Sequence, residues 1–348
     1  MKRLFLPVLA AIACAGLWGC SDDELGKVPL PDMSDGSATL RVVRAIDPRL
    51  PRLSPKQFQT LLSKAGKIVK WHFGVHLRFE TAAQVSVAEL FGKLPSHVIE
   101  AAAGDIYDFK TENGNRPQLI EHMENQLREN NSTLDEMVVF ARPHMKSAPE
   151  ITTYRSFAEA LVDTLLGRLE VWKRLDAADG TPIIDARPHN EWIYWDNLGY
   201  GDLPFDLIIT NQLVASAEYT QQTIHTAIRG GLTVGTTTYN RDGRYKSFSW
   251  LSTFPFLSNE ENVAGLREGE VYGPDEASRL AGAYLGHEIG HMLFHFGHPY
   301  GNSACVMDPV RLLQFRNWLT GLDPAKCPIG GSAAMSPGAV DITYDKGL

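Results

Sequence analysis

The strongest periodic signal lies at residues 54–80, SPKQFQTLLSKAGKIVKWHFGVHLRFE. Phe58, Leu61, Leu62, Ala65, Ile68 and Val69 recur at the three-and-four spacing of a helix that buries one face. Ser54 and Pro55 mark its start: a serine oxygen can accept from the open amides of the first turn, and proline is preset for the first helical position. Gly74 marks its end. Val75, Leu77 and Phe79 then alternate with His76, Arg78 and Glu80, the period of a half-buried strand. The folded part is therefore expected to open with a helix feeding a strand, and His72 and His76 read as ordinary residues at a helix end and on a strand face. Residues 116–129 and 155–176 read as helices within 82–200, a stretch that looks like a large, mostly helical insertion. NEWIYWDNLGYGDLPFD (190–206) is aromatic and turn-rich, and reads as a packed loop rather than a cleft lining. FDLIITN (205–211) is a short buried strand. GLTVGTTTYN (231–240), an Asp242-Gly243 turn and RYKSFSWLSTFPFL (244–257) make a hairpin. A long helix at 275–296 and a short one around 309–321 complete an α+β pattern.

The N-terminus changes the picture of where the protein works. MKRLFLPVLAAIACAGLWGC carries two charges, then an apolar run from Leu4 to about Gly19, too short for a typical spanning helix. Leu17-Trp18-Gly19-Cys20 looks like a bacterial lipobox, in which Cys20 is acylated and becomes the first residue. Ordinary signal-peptidase cleavage and a plain N-terminal anchor are the alternatives. The expected organisation is a signal peptide at 1–19, a lipid-anchored polar tether at 20–40, and one domain at 41–348, in the bacterial cell envelope. The formal charge is −8, with 41 acidic against 33 basic residues. That balance argues against nucleic acid or an anionic membrane surface as a partner, and the sequence suggests no basic run to reverse it locally. Of four cysteines, Cys14 leaves with the signal peptide and Cys20 is the lipid site. Cys305 and Cys327 remain, in an oxidising compartment, and are expected to pair; two free thiols are the alternative.

The chemistry is concentrated at 286–309, GHEIGHMLFHFGHPYGNSACVMDP. His287 and His291 are four apart on a helix, so both imidazoles project from one face and can share one Zn²⁺. Glu288 lies on the adjoining edge, placed to take a proton from a water at that metal. His-Glu-x-x-His is short enough to arise by chance, and two surface histidines are the bland reading. The setting argues against it: the helix is mostly apolar, and Gly286 and Gly290 each cost it about 1 kcal/mol relative to alanine, so something other than helix propensity selects them. No glutamate follows Glu288, which excludes a downstream glutamate ligand. His295 and His298 compete to be the third ligand. On a continuing helix His295 stands about 12 Å from His287. His298 follows Gly297 and precedes Pro299, so a chain that reverses at Gly297 can bring it back to the metal. His298 is the preferred ligand.

In these residues the chain resembles the metzincin clan of zinc endopeptidases, which includes matrixins and archaemetzincins. Their signature is H-E-x-x-H-x-x-G-x-x-H followed by a turn with a methionine beneath the zinc. His287, Glu288 and His291 match, and Met307 in SACVMDP is the candidate Met-turn residue; the Cys305-x-Met307 wording is similar to archaemetzincins. The resemblance implies a zincin fold, a Zn²⁺ cofactor, a protein or peptide substrate, and substrate binding along the strand near 231–240. Phe294 stands where the clan has glycine, and His298 lies one position late, as if the helix runs longer before turning. The sequence thus points to a lipid-anchored zinc endopeptidase. A zinc amidase acting on a non-protein amide and a binding lipoprotein on an inactive scaffold are the alternatives; the intact Glu288 speaks against the last.

Overall fold

The computed structural model describes residues 33–145, 150–185, 188–201, 203–220, 223–238, 247–294, 296–299 and 301–327. Cys20, the signal peptide, most of the tether, the Asp242-Gly243 turn and His295 lie outside them. The architecture is α+β. Its strands are β1 (Ser37–Ile46), β2 (His76–Thr81), β3 (Val85–Ser86), β4 (Leu207–Thr210), β5 (Gly235–Thr238) and β6 (Phe248–Ser252). Its helices are α1 (Pro55–Phe73), α2 (Val87–Phe91), α3 (Ser96–Ala103), α4 (Arg116–Arg128), α5 (Leu134–Ala141), α6 (Tyr154–Lys173), α7 (Trp192–Asp196), α8 (Ile224–Ile228), α9 (Phe254–Leu257), α10 (Glu261–Gly265), α11 (Pro274–Phe294) and α12 (Phe315–Gly321).

The strands form one mixed sheet in the order β2-β1-β4-β6-β5, with β3 also pairing β1. All pairings are parallel except β5 with β6. The domain therefore does not open with a helix feeding a strand. It opens with β1, which starts inside the expected tether and runs through the middle of the sheet. Successive residues point to opposite faces. Val42, Leu207, Ile209 and Leu251 join the core that holds α1 and α11, while Val43, Ile208 and Trp250 join a second core with α2 and α7.

The signals that predicted α1 act as read. Ser54 Oγ accepts from the Gln57 amide at 3.3 Å, Gln57 Oε1 accepts from the Ser54 amide at 2.9 Å, and Gly74 ends the helix at φ 77°. Helix α1 packs along α11, and glycines permit the approach: a Cβ on Gly282 would lie 2.3 Å from the Leu61 carbonyl oxygen, and one on Gly286 2.6 Å from Ile68 Cγ2. Several expected boundaries shift. The 244–257 strand stops at Ser252, because Pro255 has no amide for the ladder and the chain turns into α9. Helix α11 stops at Phe294, not 296, and α12 starts at Phe315, after Leu312 adopts a φ of 50°. The stretch 82–200 is largely helical, holding α2 through α7. Its aromatic segment is packed: Trp192, Ile193, Tyr194 and Trp195 are all buried.

Candidate metal centre

Helix α11 presents His287, Glu288 and His291, all buried. After Phe294 the chain reverses and returns His298. The three Nε2 atoms form a triangle with sides of 3.1 Å (His287–His291), 3.0 Å (His291–His298) and 3.3 Å (His287–His298). Among the described residues these three form the one group of histidine, cysteine or carboxylate side chains placed to hold a metal ion. Three nitrogens about 2.0–2.1 Å from a shared tetrahedral centre stand about 3.3 Å apart, so the triangle has the dimensions of a zinc site.

The far sides of two rings are held. His287 Nδ1 lies 2.8 Å from the Val306 carbonyl oxygen, and His291 Nδ1 bonds the Phe296 carbonyl. A carbonyl can only accept, so each Nδ1 carries the hydrogen and each Nε2 lone pair faces the triangle. Burial holds His287 and His298 well below the usual histidine pKa, reinforced by the neighbouring imidazoles, and lowers His291 to about 4. The lone pairs of His287 and His291 point at the space that His298 Nε2 also faces, and a cation there satisfies all three nitrogens. The donor set thus fits Zn²⁺.

The loop geometry resolves the off-by-one spacing. Gly297 does not end the helix: α11 runs to Phe294, and Phe296 already lies outside it. Phe294 packs on Phe73 at 4.9 Å and on Phe296 at 5.3 Å between ring centroids. His298 stacks on His287 (5.2 Å, 19°), whose ring also stacks on Tyr284 (5.0 Å, 11°).

Met307 sits under α11. A Cβ on Gly290 would lie 2.3 Å from its sulfur, so the glycine lets the turn press against the helix. The same turn supplies the Val306 carbonyl that orients His287. Cys305, one residue earlier, is bonded to Cys327, with Cα atoms 4.7 Å apart. That bond closes a loop of 22 residues in sequence separation, worth about 3 kcal/mol in the chain-entropy model.

On the other flank, Glu288 faces β5. Thr237 Oγ1 donates to the Glu288 carbonyl at 3.1 Å and lies 3.3 Å from its Oε2. A Cβ on Gly235 would lie 3.2 Å from Glu288 Oε1. Burial raises the Glu288 carboxyl to about 8, against the Thr237 bond, and Asp196 adds to the rise. Asp196 receives hydrogen bonds from Thr236 Oγ1 and from Trp250 Nε1 (2.9 Å), and burial raises it to about 6. Asp196 and Thr237 escaped the sequence reading. The clue to Asp196 was a carboxylate set inside WIYWDN, where so apolar a neighbourhood forces it to find donors. No protein-family model, no curated protein and no solved structure matches the chain.

Proposed function

We propose that the protein is a zinc-dependent peptide hydrolase with a metzincin-like site. The carrying observation is the Nε2 triangle of His287, His291 and His298, built from a helix, a reversal and two carbonyl-fixed tautomers. When bound there, Zn²⁺ supplies a Lewis acid that polarises a carbonyl and brings the acidity of a water near neutral pH. The protein's own residues do the rest. Glu288, in the next helical position, accepts the proton of the attacking water and can return it to the leaving amine. Thr237 and the glycine at 235 keep β5 against that carboxylate, and β5 is the last strand of the sheet, so its outer side offers backbone groups for an extended peptide. Met307 packed against α11 at Gly290 and the antiparallel β5 support the metzincin reading of the fold. The Cys305–Cys327 bond fits an oxidising compartment and hence an envelope location, with acylated Cys20 as the anchor.

A digest of a peptide library by the purified chain tests this. Glu288→Gln should keep its zinc and cleave about 10²–10⁴-fold more slowly, the usual contribution of a general base. Equal cleavage by the variant and the wild type would remove the catalytic role.

A further inference from the structure

The net charge hides a local reversal on α1. The helix PKQFQTLLSKAGKIVKWHF contains four lysines and no acidic residue. At 100° per residue, Lys56, Lys64, Lys67, Lys70 and Trp71 fall within an arc of about 120°, opposite the buried stripe. Arg279 of α11 joins Lys56, Lys64 and Lys67 in lining one shallow surface groove. The cluster is dense enough that Lys64 is pushed below the usual lysine pKa, first by partial burial and then by Lys67 and Arg279. The acids at its margin are engaged: Asp275 accepts from Gln57 Nε2 at 3.0 Å and Glu276 from Arg316 Nε at 2.8 Å. Trp71 is 52% exposed, one of the few large apolar side chains left in water among the described residues.

We propose that this face of α1 docks on an anionic phospholipid surface. Lysines on flexible stems suit a diffuse layer of lipid phosphates, and an indole at the edge suits the headgroup boundary. The chain's own path supports this partner over another protein. The segment preceding Met33 joins the domain beside the Trp71 end of α1, where the Gly36 carbonyl accepts from the His76 amide at 2.9 Å. Cys20 stands 13 positions before Met33, a reach of at most about 45 Å even fully extended. A membrane that holds the N-terminus therefore lies within reach of the patch. His287 and His291 project from a different side of α11 than Gly282 and Gly286, which meet α1, so docking leaves the metal centre open. The choice of occupant rests on the proposed anchor at Cys20 and not on the hydrolase reading.

The test is co-sedimentation of the full chain with vesicles of phosphatidylcholine alone and of phosphatidylcholine with phosphatidylglycerol. The N-terminal anchor, whether apolar run or lipid, contributes to both, so the ratio of the two partition coefficients reads the patch. At low salt the wild type should prefer the anionic vesicles at least about tenfold, since each surface lysine adds about fivefold, and the preference should shrink as salt rises. The triple change Lys56→Gln, Lys64→Gln and Lys67→Gln should bring the ratio near one with an unchanged melting temperature; the matching arginine triple should keep it. Trp71→Ala should weaken partition into both vesicle types. A wild-type ratio near one, or a glutamine triple that keeps its preference, overturns the proposal. So does a preference that emerges only after Asp22→Asn, Asp23→Asn and Glu24→Gln, which would seat the chain's own acidic segment on the patch.

Discussion

His72 and His291 are both buried histidines on helices, and burial lowers each to a pKa of about 4. Their surroundings differ in kind. Neither nitrogen of His72 has a hydrogen-bond partner among the described residues; its ring lies against Trp71 (4.7 Å) and Phe73 (6.1 Å). His291 has Nδ1 on a carbonyl and Nε2 within 3.1 Å of two other imidazoles. Burial and a depressed pKa therefore do not distinguish a metal site from a wall of the core. Convergence of ring nitrogens does, together with the carbonyl bonds that fix the tautomers of His287 and His291.

Making the same change at both positions gives the largest expected contrast. His291→Leu should lose zinc and slow cleavage by more than about 100-fold, beyond what removal of an outer partner of a ligand costs. His72→Leu should leave both unchanged, because an apolar side chain of similar size suits a pocket that offers no partner. A zinc loss in His72→Leu would break the comparison. A smaller effect tests the scaffold behind the site. Gly282→Ala should destabilise by about 1–3 kcal/mol, and more than Gly286→Ala, in denaturant unfolding. The Leu61 carbonyl is backbone, whereas the atom nearest a Cβ on Gly286 is a side-chain methyl, Ile68 Cγ2. The smallest effect sharpens the role of His72. Its folded pKa lies below its unfolded value, so the unfolded chain binds more protons between pH 6.5 and about 4. The contribution of a neutral His72 is complete above that window and is lost as pH falls through it. Unfolding of metal-free wild type and His72→Leu should show the variant gaining relative stability across that range; a constant difference would mean that His72 does not titrate on unfolding.

Much of this was legible in the sequence where short-range chemistry decides. Ser54, Pro55 and Gly74 bracket α1 because caps and backbone preference act within one turn. His287, Glu288 and His291 could be assigned to one site because helical spacing fixes their common side. Gly286 and Gly290 were recognisable as paying a helix cost, but what they approach, Ile68 and Met307, is tertiary. β1 was missed because a central strand covered on both faces loses its alternation: Val42 and Val43 are both buried, and Arg41 and Arg44 interrupt the run. Arg41 is accommodated by Asp206, 165 residues away, at 3.1 Å. A glycine before a histidine points to a turn at Gly297, and His298 does meet the other two rings, although Phe296 is already outside the helix. The lysine face of α1 was overlooked because net charge averages over the whole chain, while a surface is read one face at a time.

The central claim is that three histidines, and not two, hold the metal. Zinc content of the purified wild type and of His298→Ala, each dialysed against metal-free buffer, tests it most directly. The expected result is about one zinc per wild-type chain, as three imidazoles and one open position require, and a variant stripped of zinc under the same dialysis. A wild type without zinc, or a His298→Ala protein that keeps its full complement, would contradict it.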